Sequence, residues 1–132
     1  MFELPPSMTK RIGLILLALF FMAAGINHFV NSDIYVAIMP TYLPAHLELV
    51  YLSGLFEILG GIGVVLSPIR QWAGYGLIVL LIAVFPANLY MAMNPDKFVD
   101  IVSAWPLYAR LPLQFLLIWW TFWATRHDRT PA

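Results

Sequence analysis

Four stretches of the chain are almost free of strongly polar residues: Ile12 to Val30, Leu47 to Leu66, Trp72 to Met93 and Leu107 to Thr125. A helix crossing ~30 Å of hydrocarbon needs about 20 mostly apolar residues, and each stretch meets that requirement. The pattern predicts an all-α polytopic membrane protein, an antiparallel four-transmembrane-helix bundle formed by a single domain over residues 1–132.

The connections differ in kind. Asn31 to His46 contains IMPTYLP, whose Pro40 and Pro44 break helices and whose neighbourhood holds Tyr35 and Tyr42, ring types suited to the headgroup region. A break in helix at the prolines and a place at the membrane interface are expected there. Ser67, Pro68 and Arg70 form a tight turn, and Asn94 to Pro106, with Asp96, Lys97 and Asp100, is a polar loop.

Cations near span ends set direction, because Lys and Arg are retained on the cytoplasmic side. Lys10, Arg11, Arg70, Arg126 and Arg129 fall on one side, against Lys97 and Arg110 on the other. Both termini are therefore expected to be cytoplasmic. Lys10 and Arg11 followed by an apolar run and Ala23-Ala24-Gly25 also imitate a signal peptide, but the run continues to Val30 instead of stopping at a cleavage site.

Composition agrees with lipid as the solvent: 61% of residues are hydrophobic, 15% aromatic and only 11% charged. The formal charge is zero, leaving no cationic surplus to neutralise phosphates, so nucleic acid is set aside as a partner. The absence of cysteine removes disulfides, thiolate catalysis and Cys-ligated metals from this chain.

Against that apolar background the polar residues stand out. At about 100° per residue, Ser53, Gly54, Glu57, Gly60 and Gly61 share one arc, opposite Leu55, Ile58, Leu59 and Ile62. Glu57 thus faces protein, near the membrane midplane. At about 1.5 Å per residue, Asn27, His28 and Asn88 lie roughly 23 to 24 Å from the cytoplasmic side, and Arg110 and Gln114 enter the fourth span from outside. Arg110 and Gln114 are four apart and share a face with Thr121 and Thr125. Pro86 removes the helical donor of the Ile82 carbonyl and is expected to kink the third span below Asn88. Pro112, placed in the first turns of the fourth span, is expected to disturb little.

An ionisable group inside a membrane is costly to insert and marks a functional candidate. Glu57, His28, Arg110, Asn88, Gln114 and Asn27 are the ligand-binding or proton-exchange candidates. Each has a structural alternative: Glu57 as a neutral acid bonding helices together, His28 as a satisfied core histidine, Arg110 snorkelling to headgroups or pairing with Glu57 through Gln114, and the three amides as interhelical glue. Bis-histidine haem needs a second histidine at the depth of His28, and neither His46 nor His127 supplies it. No HExxH, phosphate-cradling glycine loop or serine nucleophile with a base is present, so no catalytic residue and no metal is assigned.

The ordered segments GINHF, IMPTYLP, SGLFEILGGIGVVLSP, VFPANLYMA and RLPLQ, before a tryptophan-rich last helix, resemble the DoxX-like family of small four-helix membrane proteins over about Gly25 to Trp120. The resemblance implies a multi-pass protein of a prokaryotic inner (plasma) membrane. It places His28, Glu57, Asn88, Arg110 and Gln114 on the family's polar positions and Pro40, Pro44, Pro86 and Pro112 on its prolines. Some members are associated with quinone-linked sulfur oxidation, quinol oxidases or oxidative-stress complexes, with no agreed mechanism. The expectation is a quinone-interacting or redox-accessory subunit, with quinone the one cofactor considered. Its expected partners are the lipid bilayer and either other subunits of a membrane redox complex or further copies of itself. A non-catalytic assembly scaffold and a small-molecule carrier are the other two classes, and no enzyme activity is assigned.

Overall fold

The computed structural model describes residues 3–98, 100 and 104–126. The fold is all-α: α1 (Met8–Val30), α2 (Ser32–Ala37), α3 (His46–Val65), α4 (Arg70–Met93) and α5 (Ala104–Thr125), with a 3₁₀ turn over Pro95–Phe98. Asp100 is the one described residue between that turn and α5, and the tail residues His127 and Arg129 lie outside the described residues.

α1 starts earlier than its apolar run. Ser7 caps it, its hydroxyl accepting from the Lys10 amide at 3.4 Å. Two other boundaries refine the sequence reading. Within the Asn31–His46 connection, residues 32–37 form a six-residue helix, broken from α1 at Asn31, whose φ of −115° is non-helical. α5 begins at Ala104 instead of Leu107, so Pro106 occupies the first turn, where amides lack helical partners, and Pro112 lies well inside the helix. Before α3 the chain passes through Ala45 at φ 51°, ψ 53°, the one left-handed non-glycine residue among those described.

The four long helices close a ring in which α1 packs on α3, α3 on α4, α4 on α5 and α5 on α1. One end of the ring carries the cations. Lys10 Nζ donates to the Arg126 carbonyl at 2.8 Å, just past the C-terminus of α5, and Arg70 Nε donates to the Val64 carbonyl at 2.6 Å in the last turn of α3. Both ammonium and guanidinium thus sit where a helix presents unpaired carbonyls and the negative end of its dipole. The opposite end carries α2 and the 3₁₀ turn, and the two are called here the basic end and the connector end.

The core belongs mostly to the basic half. Leu14, Leu17, Ala18 and Phe21 of α1 meet Val64 of α3, Leu77 and Leu81 of α4 and Ala124 of α5. A smaller cluster at the connector end joins Ile38, just after α2, to Met91 and Phe98. Outward-facing positions stay apolar: Leu16, Leu19, Leu55, Leu59, Val79 and Ile82 are all exposed. Exposed leucine stripes on every side suggest contact with lipid. α1, α3 and α4 are each long and apolar enough to cross a membrane. α5 has the length, at 22 residues, while Arg110, Gln114, the internal Pro112 and its tryptophans dilute its apolar character.

Candidate functional site

α1 and α3 run antiparallel, since His28 meets Val50, Gly25 meets Gly54, and Ala18 and Met22 meet Gly61. Their crossing is tight because neither helix carries a side chain there. A Cβ on Gly25 would lie 2.5 Å from the Gly54 carbonyl oxygen, and one on Gly54 would lie 2.7 Å from the His28 Cβ. His28 is one turn beyond this crossing towards the connector end, and Glu57 is one turn towards the basic end. Side chains of an α-helix lean towards its N-terminus, so on antiparallel helices these two lean towards each other.

They meet: His28 Nε2 and Glu57 Oε2 are 3.2 Å apart, each side chain about one-seventh exposed at 14% and 15%. The other ring nitrogen, Nδ1, is 3.0 Å from the Val50 carbonyl oxygen. A carbonyl only accepts, so Nδ1 must donate, and the nitrogen facing the carboxyl is therefore Nε2. Glu57 Oε2 is buried and makes no hydrogen bond among the described residues, although Nε2 lies 3.2 Å away. The two groups thus stand side by side at the same place between α1 and α3, and the carboxyl keeps hydrogen-bonding capacity to spare.

A cavity of about 610 Å³ lies beside this pair in the connector half, within the ~300 to 1,000 Å³ typical of small-molecule sites. Its polar lining comes from all four long helices and α2: His28, Tyr35, Glu57, Asn88, Arg110 and Gln114 are all wall residues. Most of the remaining wall is aliphatic or aromatic, with Phe21, Leu81 and Leu117 on the side of the core.

Arg110 does not pair with Glu57. It lines the cavity close enough to His28 for its charge to be felt there, and it has no hydrogen-bond or ion-pair partner among the described residues. Gln114, expected as a bridge to Glu57, turns to α4 instead. Its amide nitrogen donates to the Leu81 carbonyl and its oxygen accepts from Asn88 Nδ2 at 2.6 Å. That carbonyl adjoins the Ile82 carbonyl, whose helical donor Pro86 removes, so the α5 amide docks one residue from the gap in the α4 ladder. Asn88 and Gln114 thus serve as interhelical ties whose side chains still border the cavity.

Asn27 is exposed and does not line the cavity. Its Nδ2 donates to the Tyr35 hydroxyl at 2.7 Å, and its oxygen accepts from Asn31. Tyr35 is the functional neighbour that sequence reasoning missed. Its ring stacks on the His28 ring with centroids 4.2 Å apart at 29°, so α2 holds an aromatic plate against the imidazole. The available signal was the spacing, one tyrosine a short helix beyond GINHF. Among the described residues no three His, Cys, Asp or Glu side chains gather as metal ligands.

A family model described as a domain of unknown function, DUF8561, matches residues 17–125, from the middle of α1 to the last residue of α5. The chain belongs to the DUF8561 family. The matched span contains the whole cavity lining and all six candidate residues. No curated protein and no solved structure matches the chain.

Proposed function

We propose that this DUF8561 protein is a quinone-interacting or redox-accessory membrane subunit of DoxX-like kind. It would sit as a four-span bundle in a prokaryotic inner membrane with both termini cytoplasmic. One observation supports the functional reading: Arg110, without a hydrogen-bond or ion-pair partner among the described residues, shares one largely apolar cavity with the adjacent carboxyl and imidazole of Glu57 and His28. A quinone head presents carbonyl oxygens that accept a hydrogen bond and bind a proton on reduction, on a flat apolar ring that stacks against aromatic walls. Arg110 would donate to one oxygen, Glu57 and His28 would exchange the proton, and the Tyr35–His28 stack would border the ring. Electrons would come from a partner of the complex, because the chain has no cysteine to carry them.

Four spans are supported by α5, which packs on both α4 and α1 over a length similar to theirs. The orientation rests on the cations at the basic end. A cysteine placed at exposed Asp96, in a chain without any other, should react with a membrane-impermeant maleimide from the periplasmic side of intact cells. Reaction only in inverted vesicles reverses the topology.

The functional test compares wild type with Glu57→Gln, each purified in mild detergent and assayed by mass spectrometry for co-purifying quinones and proteins. Quinone retained by wild type and depleted at least tenfold in the variant is the expected result. A stable protein partner in both samples with quinone in neither replaces this reading with an assembly scaffold. In that case the Asn88–Gln114–Leu81 tie is what the polar residues are for.

A further inference from the structure

The cavity has to be reached, and its borders are unequally closed. At the connector end the 31–45 segment crosses the mouth. Tyr35 stacks on His28, Met39 and Pro40 join the wall, Ile38 is buried against Met91 and Phe98, and Tyr42 packs edge-on against Tyr90 with centroids 5.4 Å apart. The α1–α3 border is shut by the Gly25–Gly54 crossing and, above it, by the Phe29–Tyr51 stack at 5.1 Å. The α4–α5 border is shut by the Asn88–Gln114 bond and the Phe85–Phe115 contact at 5.6 Å.

The α1–α5 border differs. All hydrogen bonds and ring contacts between these helices among the described residues lie low in the ring. Trp120 Nε1 donates to the Gly13 carbonyl at 3.0 Å, and the Phe20 and Trp120 rings are 6.2 Å apart. Above Phe20 the seam is edged by Ala24 and His28 on α1 and by Leu113 and Arg110 on α5, all cavity-lining. Phe20 is 40% exposed and Leu113 47% exposed, so this wall is reached from outside the ring as well as from within. The eight steps of helical rise from Phe20 to His28 set a window about 12 Å tall.

The α3–α4 seam also has exposed lining side chains, Leu52 and Phe56. Its connector end is covered by the Ile38–Met91 and Tyr42–Tyr90 contacts, and Arg110 lies on neither of its helices. At α1–α5, by contrast, the two flanking helices themselves carry His28 and Arg110. A molecule moving in from the lipid with its polar end first meets those groups at the threshold.

We infer that the upper α1–α5 seam is a lateral portal for a lipid-borne ligand with a polar head and a long apolar tail. The head rests among Arg110, His28 and Glu57, and the tail leaves between Phe20 and Leu113 into the bilayer. This rests on the quinone reading and narrows it to long-tailed, membrane-dissolved members of that class. Ala24 acts as the sill, its methyl leaving room for a tail that a larger side chain would fill. No covalent step is involved.

The test uses the full chain in nanodiscs, with tryptophan fluorescence quenching as the signal and two probes, a decyl-substituted benzoquinone and the same ring without its tail. Because the chain has no cysteine, Ala24→Cys with Leu113→Cys can be bridged by a reducible bis-thiol linker without side reactions. Before bridging, the decyl probe should bind at least tenfold tighter than the tail-less ring. Bridging should slow decyl association at least tenfold and leave the tail-less ring within twofold, and reductive release should restore the rate, which excludes misfolding as the cause. The matching Leu52→Cys with Ala83→Cys bridge across α3–α4 should change neither probe more than twofold. An unchanged decyl rate at the α1–α5 bridge, or a loss confined to the α3–α4 bridge, overturns the portal while leaving quinone binding intact. Absence of quenching by both probes in wild type overturns the quinone reading and the portal with it.

Discussion

The basic half and the connector half of this ring are built from the same four helices but to different ends. Near the basic end, Leu14 and Leu17 are fully buried among residues of the other long helices, and Trp120 reaches across to the Gly13 backbone. Towards the connector end the helices hold polar side chains around a void of about 610 Å³, and a crossing segment closes the top. In lipid there is little hydrophobic drive between helices, so association depends on close packing and interhelical hydrogen bonds. The basic half supplies most of the packing. That leaves the connector half able to tolerate an unpaired guanidinium and a cavity.

The contrast can be broken most directly by cutting into the packed half. Leu14→Ala should cost about 2–5 kcal/mol, read as a lowered thermal midpoint in detergent, because the vacated space is walled on all sides. Leu52→Ala, on the cavity wall and already exposed, should change the same midpoint by less than about 0.5 kcal/mol. Equal losses at the two positions would mean that the halves are not differently packed.

A smaller effect is expected where the halves join. Gly54→Ala drives a methyl into the His28 Cβ and the Gly25 carbonyl, and should destabilise by about 1–3 kcal/mol. It should also separate His28 from Glu57, visible as a changed imidazole chemical shift in a histidine-labelled sample. Next, Gln114→Leu removes the tie to Asn88 and the Leu81 carbonyl at a cost of about 0.6 to 1.7 kcal/mol, as for other hydrogen bonds between membrane helices. The smallest change has the opposite sign. Ala45→Gly relieves a left-handed alanine worth roughly 1 kcal/mol, partly offset by the freedom glycine gains when unfolded, so a rise of a few tenths is expected in the same unfolding assay.

The long helices were legible because each needs only an unbroken apolar run, and the inward face of α3 was legible because glycines and Glu57 recur on one arc. Gly54 and Gly61 do meet α1, and Gly60 meets Leu77 of α4. Position along the helix axis was the reason for grouping Asn27 with His28, and it misplaced Asn27, which is exposed and outside the cavity. It adjoins His28, and consecutive helical residues point about 100° apart, so the two could not both face the cavity. α2 was hidden by the prolines that follow it, and Tyr35 with it, since its spacing from His28 points to a ring stack only once the break at Asn31 is known. The partner chosen by Gln114 was open to neither pattern nor depth. It depends on how α5 is rotated against α4, which brings the amide to the Leu81 carbonyl and to Asn88.

Lys10 and Arg70 are the residues whose positive charge argues for the direction of insertion, and they are also the residues that close the carbonyl ends of α5 and α3. Two of the five cations behind the proposed orientation therefore also serve the fold. Neutralising either to invert the protein would also fray the helix end it serves. A substitution there has to keep reach as well as sign, so a cation moved a turn along the helix would serve the orientation and still leave the carbonyls uncapped.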